Sequence, residues 1–134
     1  MASFGTTEGN VETFIAGADL SSSAGLFVKM GSADKTVVLA TAATDNIIGV
    51  IVDGAVSGAA VRVGLLNGSG TFQAKAAAAI TRGALLTSNG SGLAATASAA
   101  SAGAVPTTTV VGTAVHSVSN ANSLVTFVPH KFKY

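Results

Sequence analysis

Short runs of apolar and β-branched residues recur along this chain, and each is closed off by glycine, serine, asparagine or aspartate. They fall at residues 26–30, 36–41, 47–52, 60–65, 71–74, 85–87, 108–116 and 123–128. Apolar positions almost nowhere recur at i, i+3, i+4 and i+7 with good helix formers between them, so the helical period is missing. Brief β-branched runs between turn formers are strand signals instead. The pairs Asp53-Gly54, Asn67-Gly68 and Asn89-Gly90 offer the positive φ that tight turns need. Many short strands at this spacing predict an all-β fold, a small barrel or sandwich.

The pattern also repeats. Ile47-Ile48-Gly49-Val50-Ile51-Val52 returns as Val110-Val111-Gly112-Thr113-Ala114-Val115 at an offset of 63, and each copy is followed by a further strand-like run. Upstream, Ala24-Gly25-Leu26-Phe27-Val28 aligns with Arg82-Gly83-Ala84-Leu85-Leu86 at an offset of 58. The change implies five extra residues in the second copy, which the small-residue run at 94–103 can absorb as a loop. Two copies of one strand-turn-strand unit predict a pseudo-symmetric barrel of two halves. Low-complexity β segments can also match by chance, and the pairing of the strands decides between the two readings.

Two regions stand outside the repeat. Residues 1–18 carry only a weak strand signal at 11–15 and read as an arm that is extended or orders on a partner. The run Lys75-Ala76-Ala77-Ala78-Ala79-Ile80 is helical by propensity but too short to persist alone, so at most one helical turn is expected there. The chain thus divides into an arm at 1–18, one β domain at 19–129 and a basic aromatic tail at 130–134.

Composition sharpens the class. Alanine supplies much of the 49% hydrophobic share, and six Phe, one Tyr and no Trp are the only large aromatic side chains. A core built this way is thin, which favours association with further copies or with a scaffold. No apolar stretch reaches the roughly 18 residues of a membrane helix. The start Met1-Ala2-Ser3-Phe4 lacks a basic region followed by an apolar one, so a soluble chain is expected. All six acids lie within residues 1–53 beside two lysines, a balance of 2 − 6 = −4; residues 54–134 hold five bases and no acid, +5. Such a split suits orientation on a charged partner, unless folding scatters the charges over the surface. Five bases over that length form no stripe, so no nucleic-acid partner is expected.

Candidate chemistry is sparse. Without cysteine there is no thiolate, disulfide or cysteine nucleophile, and His116 and His130 are the only imidazoles, not at metal-ligand spacing. No metal and no cofactor is expected. His116 reads as a surface or interface residue and His130 as part of the tail. Gly68-Ser69-Gly70 and Gly90-Ser91-Gly92 are turns rather than a nucleophile elbow. Asp45 and Asp53 bracket one strand as paired carboxylates could, but their neighbours mark them as turn residues. No catalytic residue emerges, and the chain is not expected to be an enzyme.

Ala24-Gly25-Leu26-Phe27-Val28, Ile48-Gly49-Val50-Ile51-Val52-Asp53-Gly54-Ala55, residues 79–86 running to Gly92-Leu93-Ala94, and Val111-Gly112-Thr113-Ala114-Val115 together resemble the capsid decoration, or cement, proteins of tailed bacteriophages. These segments span most of residues 16–128, and their order and spacing carry the likeness more than any one of them. The resemblance implies a compact β-barrel that sits as a homotrimer on the outer capsid surface of the virion, at three-fold and quasi-three-fold positions. It implies the phage major capsid protein as partner, locking of neighbouring shell subunits, synthesis in the host cytoplasm, and no membrane. Capsid contact then falls to the two ends of the chain, with Phe4, Val11 and Phe14 in the arm and Lys131, Phe132 and Tyr134 in the tail as candidates. The loop at 94–109 is longer than a simple member needs, and the basic aromatic end matches no motif of that family.

Two other roles compete. A head-fibre base or host-surface, glycan-binding adhesion module would present exposed aromatic platforms, for which Phe72, Tyr134 and Phe4 are the few candidates. An ice-binding surface would need a regular threonine array, and the threonines here are irregularly spaced.

Overall fold

A computed structural model describes residues 10–67 and 70–134, and Phe4 with most of the expected arm lies outside them. The described chain is all-β, with ten strands and no helix. Strands β1 (Val11–Ala16), β2 (Phe27–Met30), β3 (Thr36–Leu39), β4 (Ile47–Asp53) and β5 (Ala60–Leu65) close into a barrel in the order β1-β3-β2-β4-β5. Strands β6 (Phe72–Lys75), β7 (Leu85–Ser88), β8 (Ala94–Thr96), β9 (Thr109–Ala114) and β10 (Leu124–Lys133) form a second sheet in the order β6-β10-β9-β7-β8.

The second sheet retraces the first strand for strand. In the barrel, β1 closes on β3 through the parallel pairs Ile15–Thr36 and Ala16–Val37. The same seam survives between β6 and β8 as one parallel bridge, Ala76–Ala94. Hydrogen bonds repeat as well. Gly25 N–H donates to Ile51 O at 2.8 Å, and Gly83 N–H donates to Ala114 O at 2.8 Å. Both glycines sit in the left-handed region, at φ 86° and 85°, where a side chain would be strained. Seven residues join β3 to β4 and twelve join β8 to β9, which places the five extra residues in the loop 97–108.

Glycines at equivalent points set the strand spacing. A Cβ on Gly49 would lie 2.3 Å from Gly64 O, and one on Gly112 would lie 2.3 Å from Val128 O. Backbones there approach too closely for any side chain.

Packing separates the two halves only in part. One buried cluster fills the first barrel with Ala16, Leu20, Val28, Val37, Ile51, Val61 and Val63. The other holds the equivalent interior of the second half, including Ile80, Leu86, Val125 and Phe127, and continues onto the outer side of the first barrel through Phe27, Ile47 and Val50. Phe27 meets Phe127 edge to face, with centroids 5.7 Å apart.

Several expectations need correction. The strand at 11–16 is not part of an arm. It pairs with β5 over five residues, from Val11–Gly64 to Ile15–Ala60, and with β3 at its end, pairings that satisfy its backbone while seating Ala16 in the core. The alanine run stays within the expected limit of one helical turn and forms none, since Ala76 and Ala77 donate to Ser123 O and Ala94 O instead. The tail continues β10 as far as Lys133, paired with β9 through Phe132–Val110 and Lys133–Thr109. Pro129 is tolerated inside this strand because it sits at a bulge and beyond the reach of β6, so no ladder partner needs its missing N–H. Positive φ falls on Gly58 and Gly92 rather than on Gly54 or Gly90, and Gly68 lies outside the described residues. Gly54 is needed for a different reason, because its Cβ would lie 2.2 Å from Leu20 O.

Candidate functional site

The residues that could do chemistry are used to hold turns and strand ends. Asp45 accepts from Thr41 N–H at 2.8 Å and Ala42 N–H at 3.1 Å, and its Oδ2 lies 3.2 Å from Lys29 Nζ. The Thr41 N–H bond leads in holding its carboxyl below the usual carboxylate range, and Lys29 adds to it against partial desolvation. Asp53 pairs with Arg62 across the β4–β5 bulge at 2.7 Å. His116 Nε2 accepts from Thr126 N–H at 3.1 Å, which leaves Nδ1 to donate to Ser117 O at 3.3 Å. The imidazole thus replaces a backbone acceptor where β9 ends, a structural role that its strand-end position alone did not reveal. Among the described residues no group of three or more His, Asp or Glu side chains is placed to hold a metal ion.

One end of the molecule gathers residues from both halves. The loop 40–46 after β3, the loop 97–108 and the last residues of β10 meet around Thr109, which is fully buried. Thr109 N–H donates to Ala43 O at 2.7 Å, and its Oγ1 donates to Asp45 O at 2.7 Å. Lys133 Nζ donates to the same hydroxyl at 2.7 Å and to Thr107 O at 3.3 Å, while Tyr134 N–H donates to Thr108 O. Lys131 Nζ donates to Asn46 Oδ1, tying the last strand to the first half.

An aromatic ladder runs along β10 at this end. His130 and Phe132 stack with centroids 5.5 Å apart and planes 5° from parallel, and Tyr134 meets Phe132 edge-on at 6.0 Å. Alternation along the strand puts the three rings on one face. Thr113 Oγ1 shares a hydrogen bond with His130 Nε2 at 2.7 Å, which fixes the ladder against β9. Phe132 remains 39% exposed, and Val128 and Val115 are exposed as well. Burial first, and the neighbouring Lys133 charge second, hold the Lys131 ammonium below the ordinary lysine range.

The other candidate residues are placed elsewhere. Val11 and Phe14 lie on β1, each half-buried, Val11 against the larger core cluster and Phe14 against the barrel interior. Lys35 Nζ sits 5.2 Å from the centre of the Phe14 ring. The structure therefore brings Lys131, Phe132 and Tyr134 together and leaves Val11 and Phe14 on a separate strand. The sequence placed these three in one tail, but their ladder could be seen only once β10 was known to run through them. A separate open groove of about 430 Å³ lies at the seam of the halves, floored by Val50 and Phe72 and edged by Ser21, Gln73 and Lys75.

Charge follows the halves. Arg62 belongs to β5, so residues 1–67 carry 3 − 6 = −3 and residues 68–134 carry four bases and no acid, +4.

No family model matches this chain, and no curated protein matches it. Among solved structures, the N base of the head fibre gp8.5 of bacteriophage phi29 is similar over 93% of this chain and 98% of that one, with a TM-score of 0.63 and 21% identity. The two share a fold.

Proposed function

We propose that this chain is a structural protein of a tailed-phage virion, mounted on the outer surface of the capsid and acting there as a homotrimer without catalysis. The observation that carries the reading is the fold shared along nearly the whole chain with a phage head-fibre base. The resemblance of residues 16–128 to capsid decoration proteins supports it independently. So does the use of Asp45, Asp53 and His116 as structural ties rather than as a reactive set.

In the first form of this role the protein bridges neighbouring major capsid subunits. A ligand that fits only the expanded shell stabilises that state by its binding free energy, about 2.7 kcal/mol per site when free protein stands at a hundred times its dissociation constant. Summed over every site, this term resists shell disruption. In the second form, favoured by the head-fibre neighbour, the domain is a base that seats on the shell and carries another element outward.

Sedimentation of the pure protein with expanded capsids stripped of their surface proteins tests both. Saturable co-sedimentation is expected. Binding that raises the temperature at which shells rupture supports bridging, whereas binding with no such rise supports a base. A protein that stays in the supernatant at micromolar concentration overturns the proposal.

A further inference from the structure

We propose that the end of the second half formed by Lys131, Lys133 and the His130–Phe132–Tyr134 ladder docks on a carboxylate-bearing protein surface. This rests on the capsid reading, with the shell protein as the owner of that surface, and it names the chemistry of the contact.

Charge makes the first argument. Lys131 and Lys133 are held by neutral acceptors, Asn46 Oδ1 and Thr109 Oγ1, and no ion pair among the described residues includes either of them. The half that carries them has no acid in its sequence, and the Asp45 carboxylate of the other half is taken up by Lys29, Thr41 N–H and Ala42 N–H, which leaves the two ammoniums for an external carboxylate. Each ammonium is already positioned by its hydrogen bond, and less side-chain entropy is lost when an anion arrives. Burial first and the Lys133 charge second disfavour the charged form of Lys131, and an approaching carboxylate offsets the second of these.

The apolar surroundings choose among anions. Phe132 pairs with Val110 and Lys133 with Thr109, so ring and ammonium leave β10 on opposite sides, and β6, whose pairing ends at Phe127, leaves the strand edge between them open. A partner laid along that edge meets the exposed Phe132 on one flank and the lysine on the other. A sugar or a nucleic-acid base would need an open ring face to stack on. Here one face of Phe132 is already covered by His130, and Tyr134 meets it edge-on. Two fixed lysines also make too short a track for a phosphate backbone.

Two measurements test the proposal. In the first, expanded capsids are titrated with the wild type, with Lys131→Gln/Lys133→Gln, with Lys133→Arg, and with Arg82→Gln as an exposed control outside the patch. The double variant is expected to bind about tenfold more weakly and with a flatter salt dependence, while the other two bind as the wild type does. Thermal melting of each variant separates lost binding from lost folding. In the second, amide NMR shifts of the pure protein are followed on adding a short poly-glutamate peptide or, separately, a heparin oligosaccharide. Shifts confined to residues 107–109 and 130–134 with the peptide are expected. Wild-type binding to capsids with an unchanged double variant overturns the docking site and leaves the capsid role standing. Peptide shifts without any capsid binding overturn the capsid role and leave the site standing. A peptide that moves no amide in the patch, or a stronger response to heparin, overturns the carboxylate assignment.

Discussion

Replacing Thr109 by valine keeps the shape of the side chain and removes its hydroxyl, which sits fully buried where the two halves meet. That hydroxyl donates to Asp45 O and accepts from Lys133 Nζ, both at 2.7 Å. Losing a neutral hydrogen bond of this kind costs about 1 kcal/mol, and losing one to a charged group about 1.5 to 3. Lys133 keeps Thr107 O and its access to water, so its share belongs at the low end. Asp45 O keeps Ile47 N–H at 3.0 Å. Against these losses stands the gain from a buried methyl in place of a hydroxyl, up to about 0.8 kcal/mol. The net expectation is a destabilisation of about 2 kcal/mol.

Urea unfolding followed by circular dichroism measures it. With a slope of about 2 kcal/mol per molar urea, the midpoint falls by about 1 M at unchanged slope. Lys133→Met shares one of the two lost bonds, so a double-mutant cycle between the positions should return a coupling of about 1 kcal/mol. Hydrogen exchange adds a local reading, since Thr109 N–H is bound to Ala43 O and should lose protection before the barrel amides do. A valine variant as stable as the wild type, or more stable, would show that apolar burial outweighs the hydrogen bonds and that the hydroxyl does not tie the halves together.

Other perturbations probe the repeat and the turns. Gly49→Ala and Gly112→Ala each force a Cβ to within 2.3 Å of a facing carbonyl, and thermal melting should find both destabilised by about 2 to 3 kcal/mol or more. Gly83→Ala meets open space at φ 85° and should cost about 1 to 2 kcal/mol, whereas Gly25→Ala at φ 86° adds a contact of 3.2 Å with Lys75 N and should cost more; equal melting temperatures would contradict this ranking. Because the Asp45 carboxyl is held below its ordinary range, its contribution is complete above the unfolded value of about 3.9 and is lost as pH falls through the lower folded value. The urea midpoint should therefore fall less steeply with acid in Asp45→Asn than in the wild type. His116→Ala leaves Thr126 N–H without its acceptor and should lower stability by about 1 to 3 kcal/mol, read from the same urea curves.

Much of the fold could be read from local pattern because most strands of the core bear β-branched residues between turn formers, and β6 alternates Phe72 and Ala74 with polar residues. Strands β2 to β7, β9 and β10 announce themselves in this way, and the offsets of 58 and 63 hold in the hydrogen bonds of Gly25 and Gly83. What escaped depends on distant partners. The strand Val11–Ala16 gains its ladder from β5 and β3, and its own sequence, with Glu12 and Thr13 facing solvent, reads as no more than a weak strand. Two of the three residues of β8, Ala-Ala-Thr, are alanines of little β-propensity, and the segment becomes a strand through β7. At the alanine run, helix propensity of a few tenths of a kcal/mol per residue loses to hydrogen bonds with Ser123 and Ala94. The end that gathers Asn46, Thr109, Lys131 and Lys133 was hidden for the same reason, since Asn46 and Lys131, which bond each other there, lie 85 positions apart.

Repetition with unequal filling explains why two halves of one design are not interchangeable. Position by position, the interior of the second half replaces Ile51 by Ala114 and Val37 by Ala94, and it recovers part of the volume with Leu86 for Val28 and Phe127 for Val63. Compensating exchanges of this sort keep the backbone while changing what each face presents. The enlarged Phe127 reaches Phe27 on the outer side of the first barrel, so that side of the first half is buried. On the second half, the strand pair β9–β10 leaves Val115, Val128 and Phe132 in the open. The same asymmetry appears in charge, −3 against +4. A perfectly repeated pair would offer a partner two similar faces and no preferred direction. Divergence has buried one face and left the other open, the asymmetry on which the proposed docking to an acidic surface rests.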